Sequence, residues 1–279
     1  MTSETTMSSQ ADSLFGSWVS AQILDENRPY SFPREFFRTA GPKKSNAYDF
    51  PIQADPGAAG ASYTEGTGLS NTELTSTDET ATATAKGMMA TVTDEFDEVA
   101  LWNAYEHFGG VLGRSVRERF DTDATALLDD FTNTTGTAGV STSWATLLEA
   151  LNQLEQRDQV GSAVFVLDPS QVGKVRDDIG TSGAAHFGNP SMNTAGMQDA
   201  TLGPYSGLSV GSAPVYQSSL VTSTGGAVFL RGIALGLYVI RPMRTELQRD
   251  ASLPGTEIVT TERYGMVEIR DVAGETVLI

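Results

Sequence analysis

Gly207-Leu208-Ser209-Val210-Gly211 has the spacing of the G-x-S-x-G nucleophile elbow. An elbow holds its serine on a sharp turn between a strand and a helix, which exposes the hydroxyl for attack. Here Pro214 and an extended run follow, and no histidine stands after His186 to act as base. Both failures of context argue against a hydrolase. Asp121-Thr122-Asp123-Ala124-Thr125 has the look of a phosphatase nucleophile motif, or of the start of a calcium loop. A phosphatase aspartate should end a buried strand, yet this run follows a helical pattern closing in Arg117-Glu118-Arg119-Phe120. A calcium loop needs glycine at its sixth position and glutamate at its twelfth; Ala126 and Thr132 stand there. A helix cap fits Asp121 better.

The remaining reactive side chains are few. Cysteine is absent, so neither a disulfide framework nor a thiolate metal site can form. The two histidines, His107 and His186, are too few for an imidazole metal site and read as a helix residue and a loop residue. No G-x-x-x-x-G-K phosphate loop occurs, and the Asn133-Thr134-Thr135 sequon is silent without secretion. The expectation is a chain with no catalytic residue, no cofactor and no metal.

The chain of 279 residues is long enough to bury a real core, and 39% hydrophobic residues place it among globular proteins. Its 35 Asp+Glu against 18 Lys+Arg leave a net charge of -17, which disfavours binding to phosphate backbones. The opening run MTSETTMSSQADS has no basic start and no apolar stretch, so no signal peptide is expected. Ile233 to Ile240 is far too short to span a bilayer. These features predict a soluble protein made in the cytoplasm.

Four kinds of element follow from the patterning. Residues 1–49 read as an arm: a short helix over Ser13 to Leu24, then Phe15, Trp18, Tyr30, Phe32, Phe36 and Phe37 scattered around Pro29 and Pro33. Aromatics without a periodic frame need a second surface to cover them. Residues 80–92 alternate with period two, an earlier extended stretch covers Ala47 to Gln53, and Asp55-Pro56-Gly57, Gly66 and Gly68 lie between. Together they predict a long hairpin whose side chains are too small for a core. A strand of ~12 residues reaches roughly 40 Å, enough to touch a neighbour. Eight acids and one base lie between Glu65 and Glu98, so much of the acidity belongs to the hairpin and the helix start after it.

Phe96, Val99, Trp102, Tyr105, Phe108, Leu112, Val116 and Phe120 mark one long helix over 94–120. Thr93 caps it, the acids 94–98 favour its start, and Arg114, Arg117 and Arg119 favour its end. Gly109, Gly110 and Gly113 inside it predict a bend or close packing. A short helix is expected near Ala124 to Phe131. Residues 143–240 read as an α/β unit. It has a helix from Trp144 through Leu154, a buried strand Ala163 to Leu167, and a helix capped by Asp168 with Pro169 at its first position. A loop from Gly180 to Gly203 follows, then strands Val210 to Tyr216 and Ala227 to Ile240. Glu257 to Glu262 and Gly265 to Asp271 read as two further strands, and Ala273-Gly274 as a turn into Thr276 to Ile279.

This order of parts resembles the major capsid proteins of tailed phages with the Hong Kong 97 type fold. Thr84-Ala85-Lys86-Gly87 to Asp94-Glu95-Phe96 looks like that family's passage from extended loop to spine helix. Gly161 through Asp168-Pro169 looks like its axial strand-to-helix turn, and Thr261 through Leu278 like its closing strand pair. The resemblance implies an α+β fold in five segments. These are an N-terminal arm (1–49), an extended loop (50–92), a peripheral domain with the spine helix (93–142), an axial domain (143–240) and a return to the peripheral sheet (241–279). It implies a shell protein that assembles with itself as pentamers and hexamers around double-stranded DNA, without specific DNA binding and without a membrane. Further implied partners are a separate scaffolding protein, a portal and a decoration protein, and the implied location is the virion. Lys86 stands without a matching asparagine context for the crosslink of some members. An encapsulin-like nanocompartment protein shares the architecture, and a phage tail or adhesion protein shares the composition.

Overall fold

The protein is described by a computed structural model covering residues 32–42, 45–53, 76–100, 104–159, 161–181, 205–211, 213–221, 225–250 and 254–279. The expected helix over Ser13 to Leu24, the aromatics Phe15, Trp18 and Tyr30, the hairpin turn residues, His186 and most of the Gly180 to Gly203 loop lie outside these residues.

The front of the described chain is a one-turn helix α1 (Pro33–Phe36) followed by β1 (Arg38–Ala40). Phe32, Phe36 and Phe37 are all buried in the main core. Phe36 meets Tyr216 edge-on at 5.8 Å, and Phe37 meets Phe229 at 6.2 Å. Each such side chain contributes roughly 1.5–3 kcal/mol by burial. These three aromatics therefore find their cover within their own chain, where the pattern suggested a neighbour as an alternative.

β2 (Ala47–Gln53) and β3 (Ser76–Thr82) pair antiparallel from Ala47 opposite Thr82 to Gln53 opposite Ser76. The hairpin is therefore present, but its second strand ends early. At Ala83 the chain breaks, and β4 (Thr84–Thr93) joins a different sheet. Period two continues through this break, which is why the alternation alone could not reveal it.

Helix α2 (Asp94–Val99) starts on Thr93, whose hydroxyl accepts from the Phe96 N–H at 3.4 Å, and it stops at an extended Ala100. The longer helix α3 (Ala104–Ala126) then runs past Phe120. One predicted helix is thus two, and the second is displaced toward the C-terminus. Arg114, Arg117 and Arg119 consequently lie inside α3 rather than in its last turn, and Asp121 is a buried helical residue, not a cap. The cause is visible in the stripe Leu112, Val116, Phe120, Ala124: burial at every fourth residue carries the helix onward. Of the three glycines, only Gly113 faces packing, with the Met243 methyl 3.7 Å from where a Cβ would stand. Open space surrounds Gly109 and Gly110.

A six-stranded sheet holds the main core. Its order is β5 (Thr134–Gly136), β12 (Gly274–Leu278), β9 (Gly225–Leu230), β6 (Ala163–Leu167), β8 (Ala213–Gln217) and β7 (Tyr205–Val210). Every residue of β6 and β9 is buried, as continuous apolar runs in central strands require. Helix α4 (Trp144–Gln156) caps on Ser143 and packs Leu147, Ala150, Leu151 and Leu154 inward. Helix α5 (Pro169–Thr181) starts on Asp168, whose carboxylate accepts the Ser170 N–H at 2.8 Å.

The second sheet has the order β1, β10 (Leu235–Asp250), β11 (Gly255–Glu268), β4. The expected strand Ala227 to Ile240 is divided at residues 231–234, where Gly232 takes φ +68 and the chain crosses from one sheet to the other. The two strands expected over 257–271 are one continuous β11. β12 pairs with β9 and β5, so it closes the six-stranded sheet rather than pairing with β11.

Candidate assembly surface

Ser209 lies in β7, and Gly211 at φ +60 turns the chain back into β8, so no helix follows the serine. Asp123 is occupied: it accepts the Tyr264 hydroxyl at 2.7 Å, faces Arg119 at 2.9 Å and Lys86 at 3.5 Å. His107 belongs to α3. Among the described residues no three acids or histidines are grouped to hold a metal ion. A groove along α4, lined by Ala145, Leu148, Glu149, Asn152, Gln153 and Gln156, offers one titratable group, Glu149.

What the polar groups do is fasten elements together. The Asp123 network joins α3, β4 and β11. Burial pushes the Tyr264 hydroxyl well above its usual range, and donation to Asp123 adds to the effect. Arg34 of α1 bonds the buried Glu262 of β11 at 2.5 Å, with its guanidinium 5.2 Å from the Phe120 ring centre. Burial raises the Glu262 carboxyl, and Arg34 pulls it back down. Arg157, at the end of α4, and Thr135 of β5 both bond Glu275, which is fully buried in β12.

The hairpin has two unlike faces. Tyr48, Phe50 and Ile52 share one with Ala81, Glu79 and Thr77. Phe50 and Ala81 of that face are buried with Tyr238 and Ile269. Gly265 lets the hairpin cross β11 here, since a Cβ would stand 2.5 Å from the Thr82 carbonyl oxygen. Asp49, Asp78 and Thr80 lie on the other face, which points away from the body. Glu79 meets a group of carboxylates at the base. Glu268 is pushed up to about 7, first by burial and then by Asp271, Asp130 and Glu79.

The β10–β11–β4 sheet is open where the hairpin leaves it. β4 is an edge strand with Met88 and Met89 half exposed, and Leu247 of β10 is exposed as well. A long edge with apolar side chains is a surface that isolated proteins normally blunt.

No family model matches the chain, and no curated protein matches it. Solved structures do. The capsid structure of cyanophage P-SCSP1u aligns with a TM-score of 0.71 at 14% identity, over 93% of this chain and 91% of that one. The capsid of Ralstonia phage GP4 aligns at 0.66 and 10% identity, over 90% and 91%. Mycobacterium phage Adephagia aligns at 0.65 and 12% identity, over 97% and 96%. The fold is that of phage capsid subunits. The expected α+β class of capsid type is therefore the one this molecule has. Within the capsid fold, a hairpin starting at Ala47 and a helix starting after Thr93 came from pattern, while the membership of the two sheets did not. The fastenings Arg34–Glu262, Tyr264–Asp123 and Arg157–Glu275 did not, because each joins residues far apart in sequence with no local signal at either end.

Proposed function

We infer that the chain is a major capsid protein, which self-assembles as pentamers and hexamers into an icosahedral shell around double-stranded DNA. The observation that carries this reading is full-length likeness: alignment with the cyanophage capsid structure spans over nine-tenths of both chains. A shared core alone would align in part only. The surface agrees with the reading. A hairpin that projects acids, an apolar edge strand and a fastened body suit a subunit whose free faces meet copies of itself. Many weak contacts then add by avidity, and closed symmetry limits growth.

The segment division proposed for this role keeps the arm at 1–49, the extended loop at 50–92, the spine-helix region at 93–142 and the axial unit at 143–240. Residues 241–279 form the return, with β12 serving the axial sheet. A separate scaffolding protein, a portal and a decoration protein are the further partners proposed. The location proposed is the virion, with assembly in the host cytoplasm.

Electron microscopy of the full chain, expressed with and without its scaffolding protein, tests the reading. Closed shells are expected; a strictly monomeric chain at high concentration under both conditions would overturn it. The hairpin is best tested by replacing 54–75 with Asn-Gly, because Gln53 and Ser76 are paired and a two-residue turn can join them. A wider deletion reaching residue 85 would also remove Ala81 and Ala83, which are core residues.

A further inference from the structure

Strand β12 carries a carboxylate where an apolar residue of similar size would serve stability as well. Glu275 is fully buried, and Thr135 of β5 and Arg157 at the end of α4 both donate to it. Arg157 also reaches the Gly274 carbonyl oxygen at 3.3 Å. Desolvating such a set consumes much of what its attraction returns, so stability alone does not explain a buried charge here. Alignment does. The partners of β12 specify its register weakly. β9 sets Gly225, Gly226 and Ala227 opposite Leu278, Val277 and Thr276, and β5 offers only Thr134–Gly136. Small side chains leave a strand free to slip. Alternation does not prevent it, because Ala273, Val277 and Ile279 are all buried and share the parity of residue 275. With an apolar residue at 275, that side would be apolar at every second place. A slide of two residues would then bury it equally well.

We propose that Glu275 is a register key: with Arg157 and Thr135 it selects the one alignment of β12 in which the six-stranded sheet closes. A slide of two residues would bring Ala273 or Val277 to its place and leave both donors without an acceptor, which is costly for buried groups. The flanking residues agree. A Cβ at Gly274 would run into the Phe131 ring, and the Thr276 hydroxyl donates to the Leu128 carbonyl oxygen at 2.9 Å. Both fits belong to the same alignment. The key is a property of the single chain and does not depend on association between copies.

The test replaces the whole set by apolar residues in the full chain: Thr135→Val, Arg157→Met and Glu275→Leu together. The urea midpoint of this triple variant should stay at or above that of the parent. Hydrogen exchange followed by mass spectrometry should split nonetheless. Peptides covering 134–136 and 274–279 should show two mass envelopes, the minor one carrying at least about a tenth of the signal, where the parent shows one. Glu275→Gln keeps an acceptor for both donors, so it should keep a single envelope even though its midpoint falls. A single envelope in the triple variant, at any midpoint, would overturn the proposal. Failure of the triple variant to fold would overturn it too, because the buried set would then supply stability rather than alignment. Two envelopes in the parent chain would show that Glu275 does not fix the register at all.

Discussion

The six-stranded sheet and the β10–β11–β4 sheet solve opposite problems. The first buries nearly everything: all of β6 and β9, the inner face of α4, and even the charged Glu275 of β12. The second is long and keeps Met88, Met89 and Leu247 in water. Stability is concentrated in one region and available contact surface in the other. Under the proposed function, this separation would let the faces of a shell subunit adapt to different neighbours without loosening its core.

Breaking the closed region should have the largest effect. Glu275→Ala would strand the Arg157 guanidinium and the Thr135 hydroxyl beside a cavity. It should cost about 3–5 kcal/mol, read from urea unfolding. Arg34→Ala should cost less, about 1–2 kcal/mol by the same measurement, because Arg34 is half exposed although the Glu262 it serves is buried.

Protonation sharpens the comparison at the hairpin base. The fold raises Glu268 to about 7, so the folded state binds a proton that the unfolded chain releases near 4.5. Stability therefore falls as pH rises from about 4.5 to about 7, and the whole penalty is present above that. Glu268→Gln should match the parent chain at pH 4 and exceed it at pH 8. The gain should be no more than about 1 kcal/mol, given solvent screening. A melting curve at each pH would measure it. Equal stabilities at pH 8 would show that neither burial nor Asp271 and Asp130 penalises this carboxylate.

The smallest expected effect on folding lies in the open region. Met89→Thr should change stability by no more than about 0.5 kcal/mol, because the side chain is more than half exposed. Particle yield by electron microscopy should fall nonetheless. A fall in both would mean that this strand supports the fold more than its exposure suggests.

The legibility of the chain divides along the same line. α4 was readable from its apolar spacing, and β6 and the start of α5 from Asp168 and Pro169, which act on their immediate neighbours; the Ser143 cap was not read. A hairpin built on Ala47 to Gln53 was readable from alternation and the turn residues, but its partner is Ser76–Thr82, which meets the expected run 80–92 only at residues 80–82. The split of residues 80–92 at Ala83 was not, since the side-chain period is the same on both sides of it. The shift of the long helix to 104–126 was hidden too. Gly109 and Gly110 weaken its middle, while Ala124, buried against distant elements, sustains its end. The irregularity in β10 that sets Arg241 opposite Arg263 was hidden as well, because it is a property of two paired strands.

β12 has a kinetic consequence. Its partners are β9 and, far earlier in the chain, β5. On the ribosome, residues 134–136 emerge long before residues 274–278, and until the latter arrive Glu275 cannot reach Arg157. Pairings of such wide separation are slow to close. Nascent chains are thereby held short of the finished shape until residues 274–278 have been made.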